Sequence, residues 1–207
     1  MKIGIITFHH TQNFGGCLQA LALQEYLKTR YHVETGLINY CPDVITDVYR
    51  GFSIPKYIRM LKKGYGGRVV RVLASDLFYF KQNLRISRKF NQFYRKYYNL
   101  IGPQMLTLYA LRKQKLQAET LIAGSDQIWN KNLLGGLDCA YFLKFGDIGT
   151  RRIAFSASIG QDELSRDKVE EYRRMLQDFD YISTREKRAQ ELLQNVAPCP
   201  IYHTLDP

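Results

Sequence analysis

Residues 2–40 read KIGIITFHHTQNFGGCLQALALQEYLKTRYHVETGLINY, and the fold turns on them. Lys2 to Phe8 is a short, nearly unbroken β-branched run, the pattern of a strand buried on both faces. A polar loop, HHTQNFGG, follows. From Cys17 to Tyr31, Leu18, Leu21, Ala22 and Leu27 recur near helical spacing, and the segment ends on basic residues that suit a helix C-terminus. Val33 to Tyr40 reads as a second strand. Strand, tight loop, helix and strand in that order make a βαβ unit, which implies a parallel sheet with right-handed crossovers.

The rhythm resumes further along. LIAGSDQIWN (residues 121–130) runs four strand residues straight into a polar cluster that holds the only tryptophan, Trp129. Arg151 to Gly160 reads as a strand ending in small residues. Asp162 to Phe179 reads as an amphipathic helix with Ser165 at its N-cap. Asp180 to Glu186 is a predicted strand, Glu186 to Val196 a helix, and Ile201 to Pro207 the start of another strand. Between Ser53 and Asn99 the composition shifts to Lys, Arg, Tyr and Phe, with Asp76 the single acidic residue. There Ile86, Phe90, Phe93 and Tyr97 recur at steps of four, three and four, giving one apolar helical face. The pattern predicts a helical excursion over about 50–118, closed by a helix over Gln104 to Gln117. The expected class is α/β, a Rossmann-like parallel sheet with helices on both faces and a basic helical insertion.

Bulk properties narrow the function. A chain of 207 residues can bury a real core, and no apolar run is long enough to span a membrane. The start, MKIGIITFHH, reads as a first strand and not as a secretory signal. Cys17, Cys41, Cys139 and Cys199 include no C-x-x-C pair, so no zinc or redox motif is written, and reduced thiols in a cytoplasmic protein are expected. The formal charge of +11 points to anionic partners: nucleic acid, a phospholipid face, or a substrate bearing phosphate or carboxylate. The basic segment shows no RNP signature, zinc spacing or helix-turn-helix pattern, so no nucleic acid is expected. A solvated helix with a buried aromatic stripe and a peripheral contact with an anionic membrane both stay open.

In an open parallel sheet, ligands sit beyond the C-terminal strand ends. There this sequence places His9, His10, Gln12, Asn13, Gly15 and Gly16, then Gly124, Ser125, Asp126 and Gln127. Ser156, Ser158 and Gly160 follow, then Thr184, Arg185 and Glu186. NFGG before a helix suits an anion, since glycines let backbone N–H groups approach a ligand, or it is simply a turn opening a helix. It is neither G-x-G-x-x-G nor a P-loop, so NAD and ATP are not supported. His9 and His10 are candidates for general acid or base. Adjacent positions on a strand end send their side chains to opposite sides, so at most one faces a site. Cys17 is either an activated thiol at a helix start or a small buried one. Arg185 can clamp a carboxylate or phosphate with its planar fork, or pair with Glu186 or another acid.

NFGGCLQALALQEYL, GSDQIWN, AFSASIG, ISTREK and the terminal LDP, in that order, resemble the polysaccharide pyruvyl transferase family. The resemblance covers most of the chain outside 41–99. It implies one half of a GT-B fold, two Rossmann-type domains facing across a cleft. It also implies transfer of the enolpyruvyl unit of phosphoenolpyruvate onto two sugar hydroxyls, forming a cyclic ketal and releasing phosphate. Phosphoenolpyruvate is then the donor, a sugar or lipid-linked glycan the acceptor, and no cofactor is required. Arg185 occupies a donor-binding place, with His9 as the second catalytic candidate. Asn13, Gly15, Gly16, Gln19, Gly124, Ser125, Asp126, Gln127, Ser158 and Gly160 occupy cleft-lining positions. On this reading residues 1–207 are the N-terminal domain, a second domain is expected beyond Pro207, and the 207 residues alone do not catalyse. The alternatives are a nucleotide-sugar glycosyltransferase of GT-B type and a non-catalytic glycan- or membrane-binding module. The expected location is the cytoplasm, with a peripheral contact at the inner membrane face.

Overall fold

In a computed structural model, residues 2–49 and 52–207 are described, so positions 50 and 51 of the expected excursion lie outside the described residues. The opening unit forms in the expected strand, helix, strand order: β1 (Lys2–Ile6), α1 (Phe14–Tyr31) and β2 (Glu34–Tyr40). α2 (Asp43–Tyr49), α3 (Ile54–Lys62), α4 (Gly66–Phe78) and α5 (Phe80–Tyr97) make up the excursion, which returns through β3 (Leu100–Met105) and α6 (Leu108–Lys113). Then come β4 (Thr120–Asp126), α7 (Lys131–Leu134), β5 (Arg151–Ala157), α8 (Arg166–Leu176), β6 (Tyr181–Thr184), α9 (Lys187–Leu193) and β7 (Ile201–His203). The strands form one sheet in the order β3-β2-β1-β4-β5-β6-β7, every pair parallel, a Rossmann-like arrangement.

Alternation along the central strands divides the core in two. Ile3, Ile5, Leu37 and Ile122 face α1 and α5, packing with Cys17, Ala20, Leu23, Phe90 and Tyr94. Ile6, Ile38, Leu121, Ala123, Ala154 and Ile182 face the other way, against Leu111 of α6, Tyr172 and Leu176 of α8, and Ala189 and Leu193 of α9. A strand that feeds both layers has no polar side to spare, which is why β1 reads as an unbroken apolar run.

Four readings need correction. The helix expected over Gln104 to Gln117 is strand β3 followed by a six-residue helix. Gly102, at φ +76°, and Pro103 break helical periodicity, and the strand lies at the sheet edge, where proline costs no ladder partner. On α5 the buried residues are Phe90 and Tyr94, with Phe93 half-buried, whereas Ile86 and Tyr97 of the expected face are exposed. The true face is rotated toward Tyr94, whose hydroxyl donates to the Thr11 carbonyl oxygen at 2.7 Å. α1 begins at Phe14, so Gly15 and Gly16 lie in its first turn and not in a preceding loop. β1 ends at Ile6, leaving His9 and His10 in a turn with ring centroids 5.5 Å apart instead of on opposite sides of a strand.

Candidate functional site

The strand order reverses between β1 and β4, and the crevice beyond their C-terminal ends is where a doubly wound sheet binds ligands. Two turns meet there. Asn13 caps α1, its Oδ1 accepting from the N–H groups of Gly15 at 2.8 Å and Gly16 at 3.4 Å. A Cβ on Gly16 would lie 2.6 Å from Thr11 Oγ1, so glycine lets the helix start tight against the Thr11 hydroxyl, with Asp126 Oδ2 3.4 Å from the same point.

A closed polar cycle locks these turns together. Gln19 Nε2 donates to Thr7 Oγ1 at 2.9 Å, the Thr7 hydroxyl donates to the Ser125 carbonyl oxygen at 2.7 Å, and the Ser125 hydroxyl donates to Gln19 Oε1 at 3.1 Å. All three side chains are buried. Inside a low-dielectric core such a cycle is stiff, because breaking one bond leaves a buried group unpaired. Gly124, at φ +127°, sits where an added Cβ would overlap the Phe155 carbonyl oxygen, so β4 and β5 can close together only with glycine there.

Register carries the rim outward. Asp126 lies beside Ala157, Ala157 beside Thr184, and Thr184 beside His203. With strands spaced about 4.8 Å apart, Asp126 and the start of the Arg185 turn are separated by roughly 10 Å of backbone. The Arg185 N–H donates to the Ala157 carbonyl oxygen at 3.2 Å, which holds it to the end of β5. Its guanidinium donates to Glu186 Oε1 and Asp206 Oδ2, each at 3.1 Å. Asp206 comes in because the Thr204 N–H donates to the Thr184 carbonyl oxygen at 3.0 Å and the Ser156 hydroxyl donates to the Leu205 carbonyl oxygen at 2.6 Å.

Electrostatics joins Asp126 to this cluster. Burial raises its carboxyl above the ordinary carboxylate value; the Gln127 N–H, which donates to Oδ1 at 2.7 Å, and the Arg185 charge pull it down, and Asp206 pushes it up. Burial works to lower the Arg185 pKa, but Asp206 and Glu186 together hold it above its usual value, so the side chain is a permanent cation. One oxygen of Glu186, Oε2, is buried without a hydrogen-bond partner.

The remaining candidates divide between rim and frame. Gln127 is half-buried and accepts from Asn130 Nδ2 at 2.9 Å, and Gly160 is exposed, its N–H donating to Ser158 Oγ at 3.2 Å. Ser158 itself is buried, and its carbonyl oxygen accepts from the Trp129 N–H at 3.1 Å. His9 has no exposed surface. Its Nδ1 lies 3.2 Å from the Thr7 carbonyl oxygen and its Nε2 3.8 Å from Cys41 Sγ. Burial, and then His10, lower its pKa to about 4, leaving a neutral imidazole at pH 7. Cys17 is a buried thiol whose pKa burial raises, in agreement with the unreactive reading. Sequence reasoning missed Asp206 as a partner of Arg185, although LDP stood out as a segment, and missed Tyr49, whose phenol pKa burial and then Asp126 raise. Among the described residues no group of three or more His, Cys, Asp or Glu side chains is arranged to hold a metal ion.

Residues 13–207 match the family model described as polysaccharide pyruvyl transferase. No curated protein and no solved structure matches the chain.

Proposed function

Because the chain belongs to the polysaccharide pyruvyl transferase family, we propose that it serves transfer of the pyruvyl group of phosphoenolpyruvate to two hydroxyls of a sugar in a cell-surface polysaccharide precursor. The chemistry balances without a cofactor. A proton adds to the C3 methylene of the donor and C2 becomes oxocarbenium-like. One sugar oxygen bonds to C2, the bond from C2 to the phosphate oxygen breaks, and the second sugar oxygen closes the ketal. Of the two hydroxyl protons released, one is balanced by the new methyl hydrogen and the other leaves with phosphate.

The rim carries groups for these steps. Arg185 takes the donor carboxylate or phosphate on its planar fork, exchanging the Asp206 contact for the ligand. Asp126, whose carboxyl burial makes easier to protonate, is the proton carrier beside it. The Asn13, Gly15 and Gly16 turn and the Gly124 to Gln127 turn form the walls, with Gly160 at the lip. Gln19, Ser125 and Ser158 hold those walls from behind, and His9, buried and neutral, has a positioning role. Cys17, Cys139 and Cys199 are free thiols, which suits a reducing compartment.

The observation that carries the reading is the gathering of Gly16, Asp126 and Arg185 on one rim at the switch point of the sheet. The test is phosphoenolpyruvate-dependent phosphate release, with a sugar acceptor, by the protein that carries this chain. Arg185→Gln should lower turnover by about 10²–10³, the usual loss when a charge-stabilising group is removed, and Asp126→Asn should also lose activity while keeping donor binding. Unchanged phosphate release in Arg185→Gln would refute the assignment, as would turnover of a nucleotide sugar in place of phosphoenolpyruvate.

A further inference from the structure

Residues 53–99 hold twelve Lys and Arg against the single Asp76, a net of +11, while the rest of the chain has eighteen basic and eighteen acidic residues. The whole formal excess therefore equals the charge of residues 53–99, and the remainder of the chain is neutral. Within it Lys56 pairs with Asp76, and Arg59 with Asp43 and Asp47. Among the described residues no ion pair joins a carboxylate to any of the other ten cations.

α5 sorts its two faces cleanly. Phe90 and Tyr94 are buried toward α1, where the Tyr94 hydroxyl reaches Thr11 and, just past the helix, the Tyr98 hydroxyl donates to the Cys17 carbonyl oxygen at 3.0 Å. Lys81, Arg85, Arg88, Gln92 and Arg95 recur at steps of four, three, four and three on the opposite side, all exposed. Phe80 and Leu84 flank the cations in one shallow groove. The preceding helices add apolar surface without a partner. Ile54, Ile58 and Leu61 stand exposed at steps of four and three along α3. α4 has no buried residue, and its Val70, Leu77 and Phe78 are exposed, Phe78 by 82%.

We propose that α3–α5 form a docking surface for a bilayer containing anionic phospholipid. Cations beside exposed aliphatic and aromatic side chains on adjoining helices are the signature of elements that lie in the membrane interface. A nucleic acid would use the cations and aromatic rings but gains nothing from the aliphatic stripe of α3. A second copy of the chain carries the same excess charge and repels. Lys89 and Phe90 also line the groove shared with Gln12 and Phe14, so the surface adjoins the Asn13 turn. The inference does not depend on the proposed transfer reaction.

The test is co-sedimentation of the full chain with vesicles of phosphatidylcholine alone and of phosphatidylcholine with phosphatidylglycerol. Binding is expected to the anionic vesicles only and to weaken as salt rises. At about fivefold per cation near such a surface, the triple change Arg85→Gln, Arg88→Gln, Lys89→Gln should reduce partition on the order of a hundredfold. Ile58→Ser with Leu61→Ser and Val70→Ser should weaken binding while leaving its salt dependence in place. Circular dichroism and urea midpoints like those of the parent establish that both variants fold. Sedimentation with neutral vesicles alone as strong as with anionic ones would overturn the proposal. So would a basic-residue variant that partitions like the parent, or tighter binding to single-stranded RNA or duplex DNA than to anionic vesicles.

Discussion

Acidification should destabilise this protein through His9 before most of its carboxylates matter. The ring is fully buried, and its pKa falls from 6.5 to about 4, chiefly through burial and secondly through His10, against the opposing hydrogen bonds to Thr7 and Asn39. In the unfolded chain the same imidazole takes up a proton near 6.5. Between these values the unfolded state binds more protons than the folded state, so stability is complete above pH 6.5 and is lost as pH falls toward 4. A shift of about 2.5 units at 1.36 kcal/mol each amounts to roughly 3 kcal/mol. That is a large share of the roughly 5–15 kcal/mol by which domains are stable, and corresponds to about 6–12 °C in Tm for a chain of this size. The assay is urea unfolding between pH 7 and pH 4 for the parent and for His9→Gln. Other titrating groups cancel in the difference, so the variant should lose stability with a visibly shallower pH dependence. Parallel pH curves, or a His9 proton resonance titrating near 6.5 in the folded protein, would refute the reasoning.

Two further changes probe the frame behind the rim. Gly124→Ala places a Cβ into the Phe155 carbonyl at a backbone angle that side chains rarely adopt, and should cost about 3 kcal/mol or more in urea unfolding, with reduced soluble yield. Gln19→Leu breaks the cycle with Thr7 and Ser125 and strands the Ser125 hydroxyl, a loss of about 1–3 kcal/mol by the same measurement. Amide exchange should quicken in the Thr7–Asn13 and Asp126–Asn130 turns of that variant, and unaltered exchange would show that the cycle does not lock them.

The central strands were legible because burial on both faces forces a continuous apolar run, and little else in a polar sequence looks like Lys2–Ile6 or Thr120–Ala123. β3 was not, because an edge strand needs partners on one side only and can carry Gly102 and Pro103. Phe90 and Phe93 of the expected α5 face do pack inward, but its last position was misread since tyrosine serves either side of a helix: Tyr94 is buried through its hydroxyl bond to Thr11, while Tyr97, equally aromatic, is exposed. Spacing alone contains no information about which phenol has a backbone acceptor waiting for it.

The same ambiguity governs the rim. A parallel sheet brings its strand ends to one edge, so the gathering of Asn13, Asp126 and Arg185 was readable from their places after predicted strands. Which polar groups at that edge turn outward was not readable, since turns that leave a buried sheet must satisfy their own backbone and side-chain donors first. Gln19, Ser125 and Ser158 are consumed in that work, and His9 is sealed behind it. Arg185 differs in kind: its two partners, Glu186 and Asp206, lie on segments at the outer side of the sheet, and its guanidinium keeps partial exposure. An incoming carboxylate or phosphate can replace Asp206 charge for charge, so exchange at Arg185 costs far less than opening any bond of the Gln19 cycle. On the proposed reading, ligand chemistry at this edge therefore belongs to the Arg185 and Asp126 side of the rim, and the polar residues nearest the core hold that side in place.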